Sequence, residues 1–130
     1  GLGRRIDHPE WLEWIQWIHF SETIAVHAAC LVQQKFFIPP EQRSDAVANL
    51  ERRRLVKALE VVDRALKDRE FLLPSGFTAA DVAVGYSIHM GKLFFEPEGL
   101  SNVQAYYDRL ARRPAFQASV KPATLATPAP

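Results

Sequence analysis

The stretch FTAADV, residues 77–82, constrains this chain more than any other, because it fits the start of a helix in several ways at once. Thr78 in the N-cap position can accept from the backbone N–H of Asp81, while the Asp81 carboxylate reaches back to the N–H of Thr78. Two orphan donors of the first turn are then satisfied reciprocally. Phe77 before the cap and Val82 at the fourth helical position have the spacing of a hydrophobic staple. The segment AADVAVGYSIHM that follows is apolar on nearly every side. A helix of that kind belongs at the centre of a bundle, and its end must be capped from within because water does not reach it. Asp81 therefore reads as structural, and no partner for a general base lies near it in sequence.

Further helix signals follow one another along the chain, and strand signals are absent. Asp7 and Glu10 stand in capping-box spacing around Pro9, and the apolar periodicity behind them runs to Pro39 and Pro40, which gives a long first helix. Pro40 suits the first turn of a second helix, on which Leu55, Leu59, Val62 and Leu66 repeat at helical spacing with charges between them. The apolar third helix runs from Thr78 to about Met90. Ser101 and Gln104 again have capping-box spacing at the start of a short helix. Arg113 precedes Pro114 and so marks a break, after which Pro114 can open a last short helix. The expectation is one all-α bundle of about five helices over residues 1–121. The Pro/Ala-rich segment PATLATPAP, residues 122–130, reads as a disordered tail.

Composition narrows the function. With 130 residues at 48% hydrophobic, the chain suits a single globular domain. Lys and Arg number 16 against 15 Asp and Glu, so no net field draws the chain to nucleic acid or anionic membrane. A single cysteine, Cys30, rules out an internal disulfide and suits a reducing compartment, so a cytoplasmic location is expected. Mid-helix, that thiol reads as a small buried hydrophobe. The apolar stretch from Ile24 to Val32 is broken by His27 and too short to span a membrane. His19 and His27 fall on different parts of the helix circumference, and with Glu22 they match no metal-binding pattern, so no metal is expected. Arg52, Arg53 and Arg54 point in different directions and read as a solvated face. Nucleophile-elbow, P-loop and dinucleotide-binding glycine patterns are absent.

FLLPSGFTAADVAVGY, a loop leading through a capping box onto a buried helix, resembles the segment around the central helix of the C-terminal domain of cytosolic glutathione transferases. NVQAYYDRLARRPAFQAS is similar to that family's next helix and its Arg-Pro break, and EWIQWIHFSE to the start of its long first helix. The resemblance covers roughly residues 7–120. It implies a parent enzyme that conjugates the glutathione thiolate to small hydrophobic electrophiles, with glutathione as substrate and no cofactor held by this chain alone. In the family, a thioredoxin-like domain ahead of the helical one supplies the tyrosine, serine or cysteine at the thiol. None of that is legible here, so no catalytic residue is assigned to this chain. The opening GLGRR suits a fragment of a longer protein whose thioredoxin-like half is missing.

By resemblance, the first helix lines the electrophile pocket, and an acidic residue on it reaches the glutamyl amine of glutathione. Glu22 is the position assigned, with Ser21, Thr23 and His27 as weaker pocket candidates. Trp11, Leu12, Trp14, Ile15, Trp17, Ile18 and Phe20 leave hardly any side of that helix free of large apolar groups. A small bundle cannot cover them all, and a homodimer through the first two helices is expected. The competing class is a stand-alone helical module used for protein assembly without catalysis.

Overall fold

A computed structural model describes residues 1–94 and 98–121, and the tail assigned to residues 122–130 lies outside the described residues. Five α-helices account for most of it: α1 Trp11–Val32, α2 Asp45–Ala65, α3 Ala79–Lys92, α4 Ser101–Ala111 and α5 Pro114–Ser119. Among the described residues there is no strand, only an isolated bridge between Leu73 and Gly76. α1 packs most extensively on α3 and next on α2, while α4 closes the bundle against α2 and α3. The core runs through Ile24, Leu55, Leu59, Val62, Val84, Ile88, Tyr106 and Leu110.

The capping box at α3 forms. Asp81 Oδ2 accepts from the backbone N–H of Thr78 at 2.7 Å, and Thr78 Oγ1 accepts within the first turn, from Ala80 N at 3.2 Å. Asp81 does more than cap. Its Oδ1 accepts from Leu72 N at 3.0 Å and from the Tyr106 hydroxyl at 3.0 Å, so one fully buried carboxylate joins the loop before α3, α3 itself and α4. Burial, together with the charge of Asp81, pushes the Tyr106 hydroxyl well above the usual phenol range, which keeps its proton in place to donate. α3 is not buried all round, however. Val82 and Tyr86 are 52% and 62% exposed, because only one side of the helix meets α1 and another meets α4. Phe77 packs edge-on against Phe71, and Val82 lines an open cleft beside it.

Two other expected capping boxes do not form. Glu10 is itself the residue before α1, too late in the chain to serve as the third helical position. Its carboxylate instead accepts from Arg4 Nε at 3.1 Å and from the backbone N–H and the hydroxyl of Ser75, pinning the N-terminal residues to the 73–76 turn. Ser101 lies inside α4 rather than before it. The cap arrives from α2, where Asp63 Oδ1 accepts from Asn102 N at 2.9 Å and Val103 N at 3.0 Å. Pro40 begins only a short 3-10 turn, and α2 starts behind the side-chain cap of Ser44, which accepts from Val47 N. The α-helical part of α1 stops at Val32, and one π-type turn, Gln33–Phe37, carries the chain to Ile38, extended ahead of Pro39.

The approach of α4 to α3 depends on Gly85, since a Cβ there would stand 2.5 Å from a Leu110 methyl. On α1, Trp17 is buried, most of its apolar neighbours are half-buried, and Leu12 is 71% exposed. The bundle thus covers more of the tryptophan cluster than its sequence suggests.

Thr78→Ala removes one cap acceptor and is expected to cost about 1 kcal/mol. Asp81→Ala strips an acceptor from three buried donors and is expected to cost about 3–5 kcal/mol. Urea denaturation of both variants measures the difference; equal losses would reduce Asp81 to an ordinary cap.

Candidate functional site

Consecutive residues on a helix project about 100° apart, so Ser21, Glu22 and Thr23 fan around α1 rather than converge. Ser21 is buried, its hydroxyl donating to Ile18 O at 2.7 Å, and its own carbonyl lies 3.1 Å from Ser87 Oγ on α3. Glu22 is exposed and makes no hydrogen bond or ion pair among the described residues. Thr23 and His27 lie on the side of α2, lining an open groove of about 450 Å³ with Phe20, Arg53 and Lys57. Cys30 is half-buried and free. Among the described residues, no group of three or more His, Cys, Asp or Glu side chains is placed to hold a metal.

His27 belongs to a network that the sequence reading did not anticipate. Its Nδ1 stands 2.7 Å from Glu51 Oε2, and Arg54 donates to Glu51 Oε1 at 2.7 Å. Glu51 is buried, and burial alone would raise its carboxyl. The hydrogen bonds from His27 and Arg54 outweigh that and hold it below the ordinary carboxylate range. The signal was available: Glu51 sits one turn before Leu55 on the stripe that continues through Leu59 and Val62. A carboxylate on a buried stripe must find cations or donors. Arg52, Arg53 and Arg54 are all exposed, with only Arg54 turned back to the network.

On the opposite side of α1, Ala25 and Ala29 continue the stripe that begins at Glu22, at spacings of three and seven. They line an apolar groove of about 320 Å³ between α1 and α3, with Phe37, Tyr86 and Met90 on its other walls. A free carboxylate therefore stands on the same stripe as an apolar recess.

The family described as glutathione S-transferase, C-terminal domain, matches residues 44–109, just over half of the chain. This chain belongs to that family. No curated protein matches the sequence. Among solved structures, the theta class glutathione S-transferase of Xanthomonas axonopodis pv. citri, in its apo form, is 25% identical, with a TM-score of 0.80 over 94% of this chain and 66% of the other. A glutathione transferase from Phanerochaete chrysosporium, solved with oxidized glutathione, is 16% identical with a TM-score of 0.78, covering 90% of this chain and 54% of that one. One from Methylobacillus flagellatus with glutathione bound is 19% identical with a TM-score of 0.76, covering 88% and 58%. This chain thus spans between about half and two thirds of the length of these structures.

Glu10 and Glu51 are both held below the ordinary carboxylate range, Glu10 first by its hydrogen bond from the Ser75 hydroxyl, against burial, and then by Arg4. Carboxylates depressed in the folded state contribute stability that is present above their unfolded pKa and is lost as pH falls through the folded value. The double variant Glu10→Gln, Glu51→Gln is expected to be less stable at neutral pH and to lose less on acidification from about pH 5 to about pH 3. Urea midpoints across that range are the readout, and parallel acid limbs for the two proteins would contradict the assignment.

Proposed function

We propose that this chain is the helical half of a glutathione S-transferase, working with a thioredoxin-like domain that holds and activates the glutathione thiol. The observation that carries the reading is the family membership, supported by the likeness of fold to transferases solved with glutathione or its disulfide. In this reading Glu22, which has no partner among the described residues, receives the glutamyl amine of glutathione. The apolar groove one turn further along α1 forms a wall for a small hydrophobic electrophile, which is held by burial rather than by polar contacts. Ser21, in the α1–α3 packing, acts on the pocket only through the position of α1. Thr23 and His27 belong to the α1–α2 face, which serves as the homodimer surface together with Leu12 and Val26, both exposed.

The reaction itself is attack of the activated thiolate on an electrophilic carbon, in which the carbon–sulfur bond forms and the carbon's leaving group, chloride in a chlorodinitrobenzene, departs with its bonding electrons; the activating donor lies in the thioredoxin-like domain. No helix among the described residues is long and apolar enough to cross a membrane, and the cytoplasm is the proposed site of action. This chain by itself is expected to give no specific heat on calorimetric titration with glutathione. In the complete transferase, Glu22→Gln is expected to raise KM for glutathione several-fold with kcat nearly unchanged, the signature of lost uniform binding. Steady-state conjugation of glutathione to a chlorodinitrobenzene provides both constants. Tight binding of glutathione by the chain alone, or an unaltered KM in the variant, would overturn this division of labour.

A further inference from the structure

Residues 1–4, with glycine at positions 1 and 3, have the composition of a flexible coil. In the folded chain they are tied down at two places. The first tie is made by backbone: Leu2 O accepts from the N–H of Ala79 at 2.9 Å, taking one of the donors that the start of α3 leaves without a partner inside the helix. Thr78 Oγ1 serves the next N–H, that of Ala80, so the segment and the cap share one turn.

The second tie is Arg4, whose side chain is only 10% exposed. Its Nη1 donates to Gly1 O at 3.1 Å and to Gly3 O at 3.0 Å, which curls the segment onto its own guanidinium. Its Nε donates to Glu10 Oε2 at 3.1 Å and its Nη2 to the Ser75 hydroxyl. That hydroxyl in turn donates to Glu10 Oε2, and the Ser75 N–H donates to Glu10 Oε1 at 2.9 Å. Arg4, Ser75 and Glu10 thus close a ring in which each donor meets an acceptor around one charge pair. The ring joins three parts of the chain: its first residues, the 73–76 turn and the residue before α1. A single contact leaves a segment free to pivot about it. Two contacts on different elements fix its direction as well as its place.

We propose that residues 1–4 are a latched strap, with Arg4 as the latch, that gives a body joined ahead of Gly1 one fixed bearing on the helical bundle. Bodies on flexible connectors move relative to one another unless a large interface holds them, and the strap removes that freedom at the connector itself. The latch is built from this chain alone; the identity of the body it orients, the thioredoxin-like domain, rests on the transferase reading. In that reading the strap holds Glu22 and the α1–α3 groove in place relative to the thiol, and Arg4 is a positioning residue that touches neither substrate.

Pulsed electron paramagnetic resonance on the full 130-residue chain tests the strap, with nitroxides on Gly1→Cys and on the exposed Arg64→Cys in a Cys30→Ser background. One narrow distance distribution is expected. Arg4→Ala is expected to stay folded and to spread the distances over about 10 Å, the reach of a free four-residue coil. The Ala79 amide is expected to exchange with solvent roughly tenfold faster in Arg4→Ala and in Ser75→Ala, while the Leu72 and Thr78 amides, held by Asp81, keep their rates. Arg4→Lys keeps the charge without the fork and is expected to recover only part of the order. In the complete transferase, kcat/KM is expected to fall several-fold in Arg4→Ala and to recover in Arg4→Lys in step with the distance distribution. A broad distribution with Arg4 present, an unaltered one in folded Arg4→Ala protein, or equal acceleration at Ala79, Thr78 and Leu72 would overturn the strap. Unchanged kcat/KM in a variant whose strap is loose would overturn the positioning role and leave the transferase reading intact. Failure of the complete protein to bind glutathione would remove that reading, with the latch still decided by the distances and the exchange rates.

Discussion

One buried carboxylate organises the bundle. Asp81 is excluded from water, and an ionised group in that position is tolerated only if its lone pairs are taken by well-placed donors. The donors come from three parts of the chain: the Leu72 amide in the loop, the Thr78 amide at the helix start, and the Tyr106 hydroxyl on α4. Because each donor is also buried, the arrangement holds in one geometry only. It sets where the loop ends, where α3 begins and how α4 lies across it, and Gly85 then lets α4 approach to contact distance.

With α3 so placed, α1 takes its position against it, and the rotation of α1 about its own axis decides what each of its polar residues can do. Ser21 is turned inward to α3, Thr23 and His27 toward α2, and Glu22 outward on a stripe with Ala25 and Ala29. Membership in the glutathione S-transferase C-terminal family accounts for this frame. The same rotation separates the Glu22 side of the helix from the α2-facing side that carries Thr23 and His27.

What was legible in the sequence was local. Thr78 with Asp81, the Leu55–Leu59–Val62 stripe and the Arg113–Pro114 break each rest on contacts within a turn or two, where spacing alone carries the information. Asp7 with Glu10 and Ser101 with Gln104 have the same spacing and form no box, because distant groups took the polar atoms first. Ser75 and Arg4 hold Glu10, and Asp63 caps α4. Glu51 was missed for a related reason: its partner His27 is 24 positions away, and only its place on a buried stripe betrayed the need for one. The fan of Ser21, Glu22 and Thr23 was in principle readable from helical geometry, but which sector faces α3 is settled by packing.

The cap on α4 has a bearing on how the molecule comes together. A helix of 11 residues is too short to hold itself in water, and this one lacks a side-chain cap of its own. Its first turn is completed by Asp63, 39 and 40 positions upstream on α2, so α4 gains its N-terminal hydrogen bonds only when α2 is already beside it. Formation of α4 is thereby tied to a long-range docking event rather than to contacts within its own segment.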